Sequence, residues 1–398
     1  MTSTMARITL FSFLFLLFIP YFTSAETKTF IKEYTYQASD VDSKYSCRTI
    51  ALEHVKRLLL QELGTYLESE TEVRNFQLSK DQITILTAGI VQTEIVAEKW
   101  DGDSLKYWLK VRIIADPHDV IKSIDSLRKD RTKSKEIEDA NKKADAALKK
   151  IEILRKELEV AKKDQKKIAQ YNQEVWKLNA SDLLFKGISL SNKGKYGEAI
   201  NAFTKAIELN PDYVAAYCLR GITYSKSRKF QQAIEDLNKA IKLDPNEFRA
   251  YLSRGIIYND LDKHQQAIKD FTKCIELVDP GDPLASSAYG LRGGTYDALG
   301  FYQEAIKDCT RAIDLNPSDA WNYYGRGRAY GHLGNYQQSI SDLNKSIELN
   351  PDRDLAYGDR AHIYFKIGKM DDAIRDIKMA ARLGNKGAQN YLKRFGIE

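Results

Sequence analysis

Apolar residues follow three different rhythms along this chain. Near the start the rhythm is that of strands and one helix. Thr29 to Tyr36 has the β-branched and aromatic content of a strand. Ser43 to Leu63 reads as a helix, because Ile50, Leu52, Val55, Leu58, Leu59 and Leu63 recur at helical spacing and Gly64 suits a left-handed stop. Ile83 to Trp100 is long and β-rich, with Ala88-Gly89 as the place for a bulge or bend. Asp101-Gly102 is a hairpin signal. In the run after it, Leu105, Tyr107, Leu109, Val111 and Ile113 face one way and Lys106, Lys110 and Arg112 the other, until Asp116-Pro117 ends it. That alternation is the pattern of an antiparallel sheet with one covered face. With the helix on that face, residues 26–117 make a small α+β domain.

The second rhythm begins near Val120. Ile137, Ala140, Ala144, Ala147, Ile151, Leu154, Leu158 and Ala161 step by threes and fours, and Gln165, Ile168, Asn172 and Val175 continue the series. Neither proline nor glycine interrupts residues 118–179, so a single helix of about 60 residues, roughly 90 Å long, is expected there. Its stripe suits a coiled-coil seam, with polar Gln165 and Asn172 setting register, and this predicts a homo-oligomer through the long helix. Alanine at several core positions weakens a two-stranded seam, and a lone charged spacer between two domains is the other reading.

The third rhythm fills the rest of the chain. Pro211, Pro245, Pro280, Pro317 and Pro351 close units of about 34 residues. Five of six units repeat Tyr-x-x-Arg-Gly/Ala-x-x-Tyr: Tyr217/Arg220/Gly221/Tyr224, Tyr251/Arg254/Gly255/Tyr258, Tyr289/Arg292/Gly293/Tyr296, Tyr323/Arg326/Gly327/Tyr330 and Tyr357/Arg360/Ala361/Tyr364. Unit one places Leu183, Gly187, Leu190, Ala199, Phe203, Ala206 and Pro211 at the structural seats of the tetratricopeptide repeat, and unit two places Tyr217, Gly221, Tyr224, Ala233, Leu237, Ala240 and Pro245 there. The chain resembles that family over just over half its length. The resemblance implies a mainly α protein. Six helix-turn-helix repeats form a solenoid over residues 180–387, with a capping helix at 388–398, preceded by the α+β domain and the coiled-coil-like helix. The chemistry agrees: small residues let paired helices approach, and proline stops the second helix of each pair. Val278–Pro283 adds about four residues to unit three, which should form a loop at one edge of the solenoid.

Two sets of residues stand out within the units. Arg220, Arg254, Arg292, Arg326 and Arg360 each have an aspartate sixteen positions later: Asp236, Asp270, Asp308, Asp342 and Asp376. A forked guanidinium and a carboxylate at that fixed spacing predict a pair belonging to the scaffold. The family's concave seats, by contrast, vary between units. Leu184, Ile188, Cys218 and Ile222 make the beginning of the groove apolar. Arg249, Leu252, Ile256, Asn259 and Asp260 follow, then Gly290, Gly294 and Asp297. Trp321, Tyr324, Arg328 and His332, then Leu355, His362 and Phe365, make its end aromatic and basic. The resemblance implies a partner protein or peptide in this groove, one with an apolar segment and an acidic or C-terminal end. The lysine and asparagine that chaperone-binding members use as a carboxylate clamp are replaced by Leu184 and Ile188, which disfavours that partner.

Composition refines this picture. A chain of 398 residues exceeds one compact core, and 43% hydrophobic residues with eight prolines suit folded domains. The formal charge of +6 is small, and the lysines mix with acids along one helix, so no nucleic-acid surface is expected. Arg7, the apolar run Ile8–Pro20 and small Thr23-Ser24-Ala25 have the form of a secretory signal over residues 1–25, which predicts an exported, periplasmic protein; an uncleaved membrane anchor is the alternative. Cys47, Cys218, Cys274 and Cys309 are scattered over separate elements, so free thiols are expected, and Cys274 and Cys309 read as small core residues. The segments 60–67, 79–83 and 88–91 resemble the N-terminal domain of flagellar assembly protein T and related bacterial envelope proteins, implying an envelope setting and a structural role. His54, His118, His264, His332 and His362 show no zinc spacing, and neither a phosphate loop nor a nucleophile signature occurs. The expectation is therefore a non-catalytic scaffold without metal, cofactor or small-molecule substrate. A structural coiled-coil oligomer and a regulatory subunit of an enzyme are the alternatives.

Overall fold

The structure is a computed structural model that describes residues 27–40, 42–69, 78–129, 131–160, 164–279 and 281–397. The expected signal sequence, Ala161 and Pro280 lie outside them. No helix among the described residues is long and apolar enough to cross a membrane.

Strand β1 (Lys28–Gln37), strand β2 (Thr93–Asp101) and strand β3 (Lys106–Ala115) form an antiparallel sheet in the order β1-β3-β2. On β3 the side chains of Tyr107, Leu109, Val111 and Ile113 are fully buried. The opposite face carries Lys110–Glu33 and Arg112–Glu94 ion pairs, each 2.9 Å, so it faces water. Helix α1 (Lys44–Ser69) covers the apolar face and runs straight through Gly64. Gly64 is therefore no stop: a Cβ there would lie 2.5 Å from Thr84 Oγ1, and the residue permits a close helix–helix approach. Thr84 belongs to helix α2 (Lys80–Ala88), where a strand was expected. Ser79 and Gln82 close a capping box at its start, and buried Ile83, Leu86 and Thr87 form a helical stripe, which together overrode the β-rich composition. The irregularity in β2 falls between Ile95 and Ala97 instead of at Ala88-Gly89.

The single long helix is also corrected. In its place stand helix α3 (Pro117–Lys129), helix α4 (Arg131–Val160) and helix α5 (Gln165–Asn192). Lys150–Glu174 at 2.9 Å and Lys167–Glu157 at 2.8 Å show that α5 folds back antiparallel along α4. The predicted stripe is buried: Ile137, Ala140, Ala144, Ala147, Ile151, Leu154 and Leu158 are each at most 5% exposed. Its partner is this same chain, so the stripe is not left open for a second copy. The alanines that would weaken a two-stranded seam suit close packing against α5 and the sheet module. Asp42 ties this arrangement together, accepting from Ser39 N at 2.8 Å and from the Tyr171 hydroxyl, with Arg155 Nε 3.6 Å away.

Helix α5 continues without a break into the first repeat. The array then comprises α6 (Tyr196–Leu209), α7 (Val214–Lys226), α8 (Phe230–Leu243), α9 (Phe248–Asp260), α10 (His264–Leu277), α11 (Pro283–Ala298), α12 (Tyr302–Leu315), α13 (Ala320–His332), α14 (Tyr336–Leu349), α15 (Asp354–Lys366) and α16 (Met370–Arg382). Helix α17 (Lys386–Phe395) closes the end, with Asn385 as its N-cap and left-handed Gly396 as its C-cap. One hydrophobic core runs from Tyr36 in the sheet through α4 and α5 to Leu219 in the second repeat, so the N-terminal module is docked on the array and is not held off by a spacer. All four cysteines are buried and none forms a disulfide. Burial pushes the thiols of Cys47, Cys274 and Cys309 up to about 12.

Candidate functional site

The repeated word is a structural lock. In every unit that carries it, the guanidinium Nε and Nη2 donate to both oxygens of the aspartate sixteen residues on: 2.7 and 2.7 Å for Arg220–Asp236, 2.8 and 2.7 Å for Arg254–Asp270, and 2.7 and 2.9 Å for Arg292–Asp308. Arg326–Asp342 closes at 2.8 and 2.9 Å and Arg360–Asp376 at 2.7 and 2.7 Å. The third nitrogen, Nη1, reaches the second helix of the preceding unit, where it meets Thr204, Asn238, Thr272, Thr310 or Asn344. The tyrosines complete the word. Arg292 lies 5.6 and 5.9 Å from the ring centres of Tyr289 and Tyr296, and Arg220, Arg254 and Arg360 repeat the sandwich. Each arginine thus joins the two helices of its own unit and stitches that unit to the one before.

The concave seats divide into a covered half and an open half. Leu184, Ile188 and Cys218 are buried, so the expected apolar beginning of the groove is not an open surface. The N-terminal module lies over that end: Ser189 Oγ donates to the Ile90 carbonyl at 2.9 Å, and Lys56 of α1 pairs with Asp182. Helix α4 continues along the edge where the first helices begin. Lys143 sits over the Tyr213 ring at 5.5 Å, Lys135 over Phe248 at 5.7 Å, and Asp139 is 4.0 Å from Arg249. The inserted loop of unit three faces the same module, with Gly281, Asp282 and Pro283 lining a cavity of about 560 Å³ opposite Lys135 and Asp139. Arg249, expected in the groove, is therefore buried against α4. Leu252 is buried, and Asn259 is engaged by Thr295 at 3.1 Å and His264 at 3.0 Å. Of the unit-three candidates Ile256 and Asp260 stay exposed.

Units four to six form the open half. Trp321 is 41% exposed, its ring tilted on Tyr324 at 5.5 Å and covered by the Arg353 guanidinium at 4.8 Å. Tyr324 is buried, and burial pushes its phenol up to about 12. Arg328 donates through Nε to Asp297 Oδ2 at 2.7 Å, and the Asp297 side chain is only 2% exposed. Asp359 stands next to Tyr324 and Arg328 with His332 and His362 near, and burial raises its carboxyl above the usual aspartate range. His332 stacks on Tyr302 at 4.7 Å, His362 is exposed, and Phe365 packs on Tyr391 of the capping helix.

This half is not the basic surface expected. Arg328 is matched by Asp297, and Asp359 lies beside Arg328 and Tyr324. Three buried atoms here have no hydrogen-bond partner: Asp297 Oδ1, Asp359 Oδ2 and Arg353 Nε. Two are acceptors and one is a donor. Sequence reasoning missed Asp359 and Arg353 because neither occupies a family groove seat; an arginine one position before an aromatic-rich first helix was the available signal. Among the described residues, no group of three His, Cys, Asp or Glu is placed to hold a metal ion.

Family models described as tetratricopeptide repeat match residues 214–247, 320–353, 248–277 and 286–319, and one described as TPR repeat matches residues 190–227. The comparison with curated proteins returns no match. Among solved structures, MamA is 29% identical over 42% of this chain and 96% of its own, with a TM-score of 0.37. YrrB, described as a TPR protein with an unusual peptide-binding site, is 21% identical over 49% of this chain and 99% of its own, at a TM-score of 0.40. PilF of Pseudomonas aeruginosa is 14% identical over 54% and 97%, at a TM-score of 0.49. Residues 190–277 and 286–353 are tetratricopeptide repeats, and the array they build is a tetratricopeptide solenoid.

Proposed function

We propose that this chain is a scaffold of the cell envelope whose array holds a segment of another protein against the concave face of units four to six. The observation that carries the reading is the environment of Trp321: an exposed indole set above a buried polar network with three unpartnered atoms, on the half of the groove that the N-terminal module leaves open. Large aromatic side chains over desolvated polar groups are the usual anchors of protein interfaces. A peptide segment docked on Trp321 would lie against this network and carries a donor and an acceptor at every backbone residue. The occupant is a neutral or mixed-charge segment, because Arg328 is paired with Asp297 and Asp359 lies beside it. The N-terminal module fixes where the array begins and closes the groove to longer ligands. Arg7, the apolar run at residues 8–20 and small Thr23-Ser24-Ala25 support export.

The test is capture from an envelope fraction by the full-length protein against Trp321→Ala. That variant removes the exposed ring and leaves the buried network in place. A captured protein that is lost with Trp321→Ala and kept with an exposed alanine substitution elsewhere, such as Ile153→Ala, supports the reading. Equal capture by both overturns it. For export, the mass of the purified protein should correspond to a chain starting at Glu26; retention of residues 1–25 in a soluble protein overturns that part.

A further inference from the structure

A second cavity, open to the surface, lies far from the open groove, at the seam between the N-terminal module and the first repeat. It holds about 220 Å³ and is walled by α1, by the segment joining α2 to β2, by Asn141 of α4 and by α5. Beside Ala88, the apolar side chains of Leu52, Leu60, Val91, Ile95 and Phe185 line it, and these five are only partly buried although they sit on the rim of the main core. A core that closed on itself would have filled this space, since protein interiors pack to the density of organic crystals.

The polar groups on the wall are unequal. Arg57 is held by Glu53 at 2.9 Å and by Asp145 of α4. Lys56 pairs with Asp182, and its side chain is only 12% exposed. Lys186, exposed at the mouth, has no ion-pair partner among the described residues. Lys56 is the deeper of the two lysines. Burial, with Arg48 and Lys186 repelling it and Glu53 opposing them, lowers its ammonium from the ordinary lysine range to about 8. Asp182 answers one of the two lysine charges on this wall, so an anion beside Lys56 and Lys186 is favoured by the other.

We propose that this pocket binds a small amphipathic carboxylate, with its tail against Leu52, Val91 and Phe185 and its carboxylate on Lys56 and Lys186. At about 30 Å³ for each water-sized unit, the 220 Å³ space admits a ligand of roughly eight heavy atoms. Its walls belong to both bodies: Leu52 and Lys56 to the N-terminal module, Phe185 and Lys186 to the first repeat helix. A bound ligand therefore clamps the module to the array. The inference is independent of the groove and survives if the groove binds nothing.

Hexanoate, with eight heavy atoms, is the probe; hexan-1-ol and hexylamine are its controls. Binding to the full-length protein is followed by saturation-transfer NMR and calorimetry. A ligand of this size should bind at one site with a Kd of roughly 1 mM or below. Hexanoate should bind at least tenfold more tightly than either control. Lys56→Met should weaken it tenfold or more. Phe185→Trp, which fills the space and keeps both lysines, should weaken it to the same extent, so the conclusion does not depend on how well the lysine variant folds. Failure of hexanoate to bind, equal binding of hexylamine, or hexanoate binding unchanged in Phe185→Trp overturns the proposal.

Discussion

Replacing Arg292 by alanine tests the lock at the centre of the array. The wild-type guanidinium gives Asp308 two hydrogen bonds, of 2.7 and 2.9 Å, and Thr272 of the preceding unit a third, of 2.9 Å. The two side chains are 15% and 8% exposed, so water cannot take over these bonds freely. Truncating one member leaves the Asp308 carboxylate buried and unpaired. Breaking a buried pair in this way costs about 3–5 kcal/mol, and the residual exposure places Arg292→Ala near the lower figure, about 3 kcal/mol. Asp308→Ala should cost about as much, because it strands the guanidinium between Tyr289 and Tyr296. The double variant should cost far less than the sum of the two, since the stranded charge, and not the missing attraction, dominates each single loss. Arg292→Lys keeps the charge but not the fork, and should recover less than half of the loss. Urea unfolding followed by circular dichroism gives the free energies. Hydrogen exchange on α11 and α12 locates them, because a repeat array opens by neighbouring units and not in one step. A change within about 0.5 kcal/mol of wild type for Arg292→Ala, or strict additivity of the two single losses, would refute the reasoning.

Three further outcomes are expected. Every unit has a left-handed residue between its two helices, glycine in four of them but Arg228 and Asp262 in units two and three; Arg228→Gly and Asp262→Gly should each raise stability by about 0.5–1 kcal/mol in urea titration, and a loss of stability in both sinks the strain argument. Burial raises the Asp359 carboxyl in the folded state, so its contribution favours folding below the unfolded value of about 4 and is lost as pH rises through the folded value; Asp359→Asn should therefore gain on wild type between about pH 4 and pH 7, and a gap that does not change with pH counts against it. Gly64→Ala drives a methyl into Thr84 and should destabilise the protein by about 1–3 kcal/mol in thermal or urea melts, whereas a neutral result would mean that α1 and α2 can separate freely.

The readability of the chain differs sharply between its halves. The array was legible because each seat is stated repeatedly at one spacing: glycine or alanine before the second tyrosine, and aspartate sixteen residues after arginine. The physical cause is local, since each unit contacts only itself and its neighbours. In the N-terminal module each signal occurs once. Ile83–Thr87 has strand-like residues, yet the Ser79–Gln82 capping box and burial of one stripe made it helical. Gly64 reads equally as a helix end or as a close contact, and only the approach of Thr84 decides which. The groove was legible as a set of directions. It was not legible as a surface, because Leu184, Ile188 and Arg249 point as expected and are then covered by parts of the same chain.

By itself, the sequence determined the repeat, its unit length, the arginine–aspartate pairing and the stripe on Ile137 to Leu158. All of these follow from periodicity, which states that a face is buried and which residues share it. Periodicity does not state what the face is buried against. Only the tertiary structure decided that α4 folds along α5 in place of pairing with a second chain. It likewise decided that the N-terminal module closes the first part of the groove, and that Arg353 and Asp359 join Trp321, Tyr324 and Arg328 into one site. Those outcomes depend on contacts between residues distant in sequence, where packing energy and loop closure choose among arrangements that the local pattern leaves equal.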